Sequence, residues 1–209
     1  VLANESWTEQ LFNALLAQSG WEWLAASLGI AYVILAAKES VWCWPAAFIS
    51  TLIYTVLFWE GQLPMQALLN AYYIGVAVYG YWVWTKTHAI QNQEKSLTVS
   101  RRPLNFHLIF ISAGISISLA LGYALSLSPD NRLPYLDASV TVFAVMNTLL
   151  MAHKVLENWL YWLVINTAAI ALYWQTGFFV TIAMFVVYWV LAVYGYWQWR
   201  QTYLLPKAS

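Results

Sequence analysis

Val78-Tyr79-Gly80-Tyr81-Trp82-Val83-Trp84 returns 115 residues later as Val193-Tyr194-Gly195-Tyr196-Trp197-Gln198-Trp199. Six of the seven positions are identical, and the register extends outward from the string without a gap. Trp44 falls on Trp159, Leu57 on Leu172, Trp59 on Trp174, Tyr73 on Tyr188, Ala77 on Ala192 and Thr87 on Thr202. Further upstream Leu35 meets Leu150, and the acidic Glu22 meets the acidic Asp137. Scattered aromatic coincidences are common between apolar segments, whereas six identities in one short run, in register with the rest, mark a duplicated unit.

The duplicated unit belongs in a bilayer. Of 209 residues 62% are hydrophobic, 18% aromatic and 9% charged, too few charges to cover a water-soluble globule of this size. A span needs roughly 20 apolar residues to cross about 30 Å of hydrocarbon. Seven stretches qualify, at about 21–37, 41–59, 65–84, 106–125, 135–152, 158–174 and 178–199. Continuous apolar runs between short polar turns predict helices, since barrel strands would alternate over about ten residues.

The charges then orient the chain. Lys38, Lys86, Lys95, Arg101, Arg102, Lys154, Arg200 and Lys207 fall on one side of a seven-span threading and only Arg132 on the other. By the positive-inside rule the N-terminus lies outside and the C-terminus in the cytoplasm. Ser6-Trp7-Thr8-Glu9 reads as a capping box opening a short helix to about Gln18. Trp7, Leu11, Phe12 and Leu15 would lay that helix on the outer membrane surface.

Spans one to three and five to seven are the two copies, and span four stands between them. Because three is odd, directly fused copies would face opposite ways; the extra span restores the second to the orientation of the first. The expected fold is an all-α polytopic membrane protein of seven transmembrane helices, two parallel three-helix repeats joined by a linker helix (3+1+3). The divisions are an amphipathic segment at 1–20, a first bundle at 21–87, a linker with the fourth span at 88–134, a second bundle at 135–203 and a tail at 204–209.

Catalytic constellations are nearly absent. His88, His107 and His153 are scattered, Cys43 is alone, and no phosphate loop, His-Glu-x-x-His or Gly-x-Ser-x-Gly motif occurs. An enzyme, a metal site and a bound cofactor are therefore not expected, nor is a nucleic-acid partner. The last span has no Lys, which removes a retinal Schiff base. A seven-span receptor would need an extended inner surface, and the chain offers only the 86–103 connection and about ten terminal residues.

Polar side chains within the spans are few, and Gln66, Asn70, Asn147 and Asn166 stand out. An unpartnered amide in lipid costs several kcal/mol, so these are expected to face the bundle interior. Gln66, Asn70, Tyr73 and Ala77 share one helical face of span three, as Trp159, Trp162, Asn166 and Tyr173 do in span six. One such amide is equally well explained as interhelical glue, worth about 0.6 kcal/mol. Several of them, with Trp and Tyr beside the duplicated axis, point to a ligand site of Gln66, Asn70, Tyr73, Asn147, Trp159, Trp162, Asn166 and Tyr188. The ligand would be flat and able to form hydrogen bonds, and Trp faces also suit a cation. Glu22, Glu60, Asp137 and Glu157 all lie near span ends, so uncoupled transport is simpler than proton or sodium coupling. Tyr79 to Trp84 is read as an interfacial anchor, with Gly80 and Gly195 allowing close helix approach.

His153-Lys154-Val155-Leu156-Glu157-Asn158-Trp159-Leu160-Tyr161-Trp162-Leu163-Val164-Ile165-Asn166 resembles the PnuC family of bacterial nicotinamide riboside transporters, which carry a comparable Lys-x-x-Glu-Asn-Trp-Leu-x-Trp segment followed by a polar residue. Asp137 at the start of span five and the Tyr-Gly-Tyr-Trp end of span three are also similar to that family. The resemblance covers essentially the whole chain. It implies a SWEET-like fold, uptake of nicotinamide riboside by facilitated diffusion, and trapping by a cytoplasmic nicotinamide riboside kinase. By motif, Trp159, Trp162 and Asn166 carry over. The pyridinium ring would lie on Trp and Tyr faces, with carboxamide and ribose on Gln66, Asn70, Asn147 and Asn166. Another B vitamin or a sugar on the same fold is the alternative, and homo-oligomer formation is left open.

Overall fold

In a computed structural model the described residues are 7–62, 64–89, 97–127, 133–176 and 179–205. They form α1 (Trp7–Leu16), α2 (Gly20–Ala37), α3 (Cys43–Glu60), α4 (Pro64–Ala89), α5 (Leu104–Ser126), α6 (Pro134–Ala152), α7 (Asn158–Thr176) and α8 (Phe179–Leu204). Helices α2 to α8 are the seven expected spans, and the expected cap at Ser6 lies outside the described residues. A capping box does occur one helix later, where the Ser19 side chain accepts from the Glu22 N–H and the Glu22 carboxylate accepts from the Ser19 N–H.

Five of these helices, α2, α3, α5, α6 and α8, are by length and composition apolar enough to cross a membrane. The two others, α4 and α7, are as long but less apolar, since they hold the in-span amides Gln66, Asn70 and Asn166 along with much Tyr and Trp. They are also the helices that bear most of the expected site. Around the outside large apolar side chains stay bare, among them Ile109 at 70%, Val164 at 69% and Leu68 at 64% exposed. Such a surface is soluble only in lipid.

Neighbouring helices close into a ring. Among the described residues α3 packs between α2 and α4, and α7 between α6 and α8. The two trios then meet through α2 against α8 and α4 against α6. In the 115-residue register α2 corresponds to α6 and α4 to α8, so these two seams are copies of each other about an axis along the bundle. Linker helix α5 lies outside the ring on α6, and α1 lies on α8. The packing of α5 is aromatic: Phe110 lies 6.3 Å from Phe143 of α6 and 4.9 Å from Tyr161 at the start of α7 between ring centroids.

The repeated string shows how each trio is locked. A Cβ at Gly80 would stand 2.4 Å from Trp44, and one at Gly195 would stand 2.5 Å from Trp159. Only glycine lets each indole lie flat on the neighbouring helix. Each of those indoles meets the last Trp of the string edge-on: Trp44–Trp84 and Trp159–Trp199 both have centroids 5.4 Å apart at 89°. Trp84 and Trp199 approach each other across the axis at 6.4 Å. The string is thus divided by face. Tyr79, Tyr81 and Trp82 are exposed as an interfacial anchor should be, whereas Gly80 and Trp84 belong to the core.

Candidate functional site

All four indoles lie toward the end of the ring that carries Lys38, Lys86, Lys154 and Arg200, here termed the basic end. Helices α2 and α6 stop there in the same way. After Ala37 and after Ala152 the chain makes a Schellman turn: Glu39 N–H donates to the Ala36 carbonyl and Ser40 N–H to Leu35, while Lys154 N–H donates to Met151 and Val155 N–H to Leu150. Glu39 has φ 55° and Lys154 has φ 51°, the left-handed region where glycine is usual. They are repeat equivalents of opposite charge, and Lys154 Nζ lies 2.9 Å from Glu39 Oε2. Lys154 also sits 4.5 Å from the centroid of the Trp84 ring.

The last turns of α2 and α6 expose carbonyls with no partner in their own helix. Trp199 of the second copy donates to the Ala36 carbonyl at 3.0 Å, and Trp84 of the first copy donates to Ala152 at 2.9 Å. Each trio therefore ties its terminal Trp to the other trio's helix end. The basic end is closed by a buried aromatic plug with an ion pair over it.

Behind the plug lies the polar set. Asn147 is 0% and Asn166 2% exposed. Asn147 donates to the Asn158 carbonyl at 3.0 Å, and the Asn158 side chain donates to Val155. The side-chain oxygens of Asn147 and Asn158 accept no hydrogen bond, and the indole N–H groups of Trp44 and Trp159 donate none. Such buried vacancies cost about 1–3 kcal/mol each, so they are rarely kept without a use. These atoms are two acceptors, on Asn147 and Asn158 of the second trio, and two donors, one on the Trp44 indole of the first trio and one on the Trp159 indole of the second.

The remaining candidates separate. Trp159 is a wall of the plug, fixed between Gly195 and Trp199, and half-buried Trp162 packs on the same cluster. Tyr188 is half-buried and brings its hydroxyl over Gly29 of α2, where an added Cβ would lie 2.9 Å from it. Its counterpart Tyr73 is half-buried at 5.5 Å from Tyr72, whose hydroxyl donates across the seam to the Val145 carbonyl. Asn70 is half-buried, and it donates to the Gln66 carbonyl one turn back, so its amide finds a partner without leaving its own helix. Gln66 differs from the expectation of an enclosed amide, because its side chain is exposed. It lies on the same face as Tyr73, Ala77 and Trp84 but in the first turn of α4, at the rim, where water supplies partners.

Sequence reasoning passed over Tyr32, the repeat equivalent of Asn147, whose ring lies 6.1 Å from Trp44. It also passed over Glu39. For both, the signal was present in the register, as unlike residues at equivalent positions of an otherwise matched frame.

Comparison with known proteins agrees with the ring. The family described as "Nicotinamide mononucleotide transporter" matches residues 19–201. The nicotinamide riboside transporter PnuC of Escherichia coli (strain K12) is 22% identical over 194 residues, covering 82% of this chain and 81% of its own. PnuC of Neisseria mucosa is 26% identical over 189 residues, at 85% and 71% coverage. The riboflavin/roseoflavin transporter RibM of Streptomyces davaonensis is 26% identical over 175 residues, at 82% and 80%. The crystal structure of the vitamin B3 transporter PnuC superposes with a TM-score of 0.70 at 22% identity, covering 94% of this chain and 87% of that one, a likeness of fold. With the match running through both trios and the linker helix between them, the chain belongs to the PnuC, or nicotinamide mononucleotide transporter, family of membrane transporters.

Proposed function

We propose that this chain carries nicotinamide riboside into the cytoplasm by facilitated diffusion, the two trios rocking about a site near the midplane. The observation that carries the reading is the pair of buried amides, Asn147 and Asn166, in one trio of a matched frame whose other trio has Tyr32 and Thr51 at the equivalent places. An asymmetric lining suits one asymmetric ligand. The riboside offers a pyridinium ring for the aromatic faces and carboxamide and hydroxyl groups for the amides. The names of the PnuC relatives support the same ligand.

Uncoupled transport is supported by the charges. Among the described residues the buried polar set contains one carboxylate, Glu157, and it is paired with Arg101 at 2.9 Å. Nothing in that set resembles a free intramembrane proton carrier. Net uptake would then depend on a cytoplasmic kinase that removes the free riboside. In this reading the basic end is cytoplasmic in a bacterial inner membrane, the N-terminus is outside, and the functional units are the bundles 21–87 and 135–203 with the linker 88–134 between them.

Riboflavin is the second reading, favoured by the similarity to RibM. Flux of labelled nicotinamide riboside into kinase-free vesicles containing the purified protein separates the possibilities. Equilibration to equal internal and external concentration, blocked by unlabelled riboside and not by riboflavin, is expected. Accumulation above the external level under a proton gradient would overturn the uncoupled mechanism, and competition by riboflavin alone would transfer the site to that vitamin.

A further inference from the structure

The two left-handed residues at the basic end, Glu39 and Lys154, invite a functional explanation. A non-glycine residue at the C′ position of a Schellman turn costs about 1–2 kcal/mol, and glycine would remove that cost. Three residues in the described chain bear it, Gln62 after α3 and, at equivalent positions of the two copies, Glu39 and Lys154; only the last two face each other. Strain of this kind persists where the surroundings impose it, and it gathers at switch regions. Here the two strained residues are each other's partner at 2.9 Å, with side chains only 20% and 9% exposed.

The turns that present them are held unequally. The Lys154 turn is strapped to the linker: Ser100 N–H donates to the Lys154 carbonyl at 3.0 Å, and Leu156 N–H donates to the Ser100 carbonyl at 2.8 Å. Arg101 adds its ion pair with Glu157, and Val99 is buried in the plug cluster. The Glu39 turn has no such strap among the described residues. Its backbone bonds run from Lys38 to Ile34, Glu39 to Ala36, Ser40 to Leu35 and Cys43 to Ser40, all within its own segment. What ties it to the other trio is the Glu39 carboxylate and the Trp199 indole bound to Ala36.

We propose that the Glu39–Lys154 ion pair is the latch of a gate at the basic end, and that the gate opens one-sidedly, the 38–42 turn swinging away from a Lys154 turn that the linker holds fixed. What passes the gate rests on the transport reading; the latch itself is defined without a substrate. Opening breaks a contact between the two trios, not within either, as alternating access about the ring axis requires. The linker thereby gains a role beyond restoring the orientation of the second copy, since it selects which trio moves.

Cys43, the only cysteine in the chain, is the first residue of α3, directly behind the 38–42 turn, and is 0% exposed. It reports opening without an added label. In vesicles with the basic end facing the bath, a membrane-impermeant maleimide should modify the unaltered protein slowly and Cys43→Ser not at all. Glu39→Gln should raise the rate about tenfold, as the closed state loses its compensating charge while Lys154 stays buried. Lys154→Glu should do the same. The double variant Glu39→Lys with Lys154→Glu should return to slow labelling, which a merely misfolded single variant would not. Hydrogen exchange in Glu39→Gln should quicken in 36–43 and stay unchanged in 151–158.

Equal labelling of Glu39→Gln and the unaltered protein, or fast labelling that the charge swap leaves fast, overturns the latch. Equal quickening of both turns overturns the one-sided opening. A failed riboside flux with these labelling results intact would refute the ligand and leave the gate.

Discussion

Glycine at 80 and 195 is required by an indole, and replacing it tests the whole frame. At Gly80 an alanine Cβ would stand 2.4 Å from Cε2 and Cζ2 of Trp44 and 2.5 Å from its Cη2; at Gly195 the distances to Trp159 are 2.5 to 2.6 Å. Carbon atoms rest at about 3.5–4.0 Å, so each ring must retreat by about 1 Å. Neither has room, because both indoles are 1% exposed and abut a second Trp at 5.4 Å. Overpacking of this type costs about 1–3 kcal/mol. A displaced Trp84 or Trp199 would also strain its bond to the opposite trio, worth about 1 kcal/mol, while alanine returns about 1 kcal/mol of helix propensity. The net expectation is a loss of about 1–3 kcal/mol per site, or about 2–12 °C in a thermal melt for a chain of this length. Gly75→Ala on the same helix is the control, since a Cβ there meets nothing within 4 Å and should raise the melting temperature slightly. Thermal unfolding in detergent, followed by tryptophan fluorescence, reads all three. If Gly80→Ala and Gly195→Ala melt at or above the unaltered protein, as Gly75→Ala should, the indole-on-glycine contact does not hold the trios together.

Three further outcomes follow from particular atoms. Trp84→Phe removes the donor to the Ala152 carbonyl and should cost about 1–3 kcal/mol more than Trp44→Phe, whose indole N–H has no partner to lose; paired melts check the difference. Asn166→Ala should weaken nicotinamide riboside binding about tenfold, equivalent to about 1.4 kcal/mol, in a tryptophan-quenching titration, while Gln66→Ala at the rim should change it little. Burial, and next the charge of Arg102, hold the His153 imidazole below its usual value of 6.5. Because the unfolded chain then takes up the proton first, stability should be complete above about pH 6.5 and fall as pH drops through the lower folded value, with His153→Gln flattening the dependence of the melting temperature on pH.

The helices and their repeat were legible because both signals are local or simply additive. A 20-residue apolar run needs no tertiary context, and a fixed offset of 115 residues survives divergence so long as Gly80 and Gly195 must each receive an indole. The ring was less legible, since α2 against α8 and α4 against α6 are seams between distant segments that no periodicity encodes. The amides show where the reasoning about solvation was too coarse. Asn70 satisfies itself one turn back and Gln66 reaches the rim, so a polar residue in a span does not by itself specify an inward partner. Asn147 and Asn166 are the ones that do lie buried, and the register separates them from the others only when the opposite copy is read beside them. The same comparison is informative at Glu39 and Lys154. Identity between the copies preserves the packing that makes two trios superposable, whereas opposite charge at one equivalent pair is what two superposable trios need in order to recognise each other across the axis. A perfectly symmetric repeat would place like charge against like at that point. The departure from identity is therefore as structural as the identity, and the pair that departs most sharply in charge lies where the two halves must both close and part.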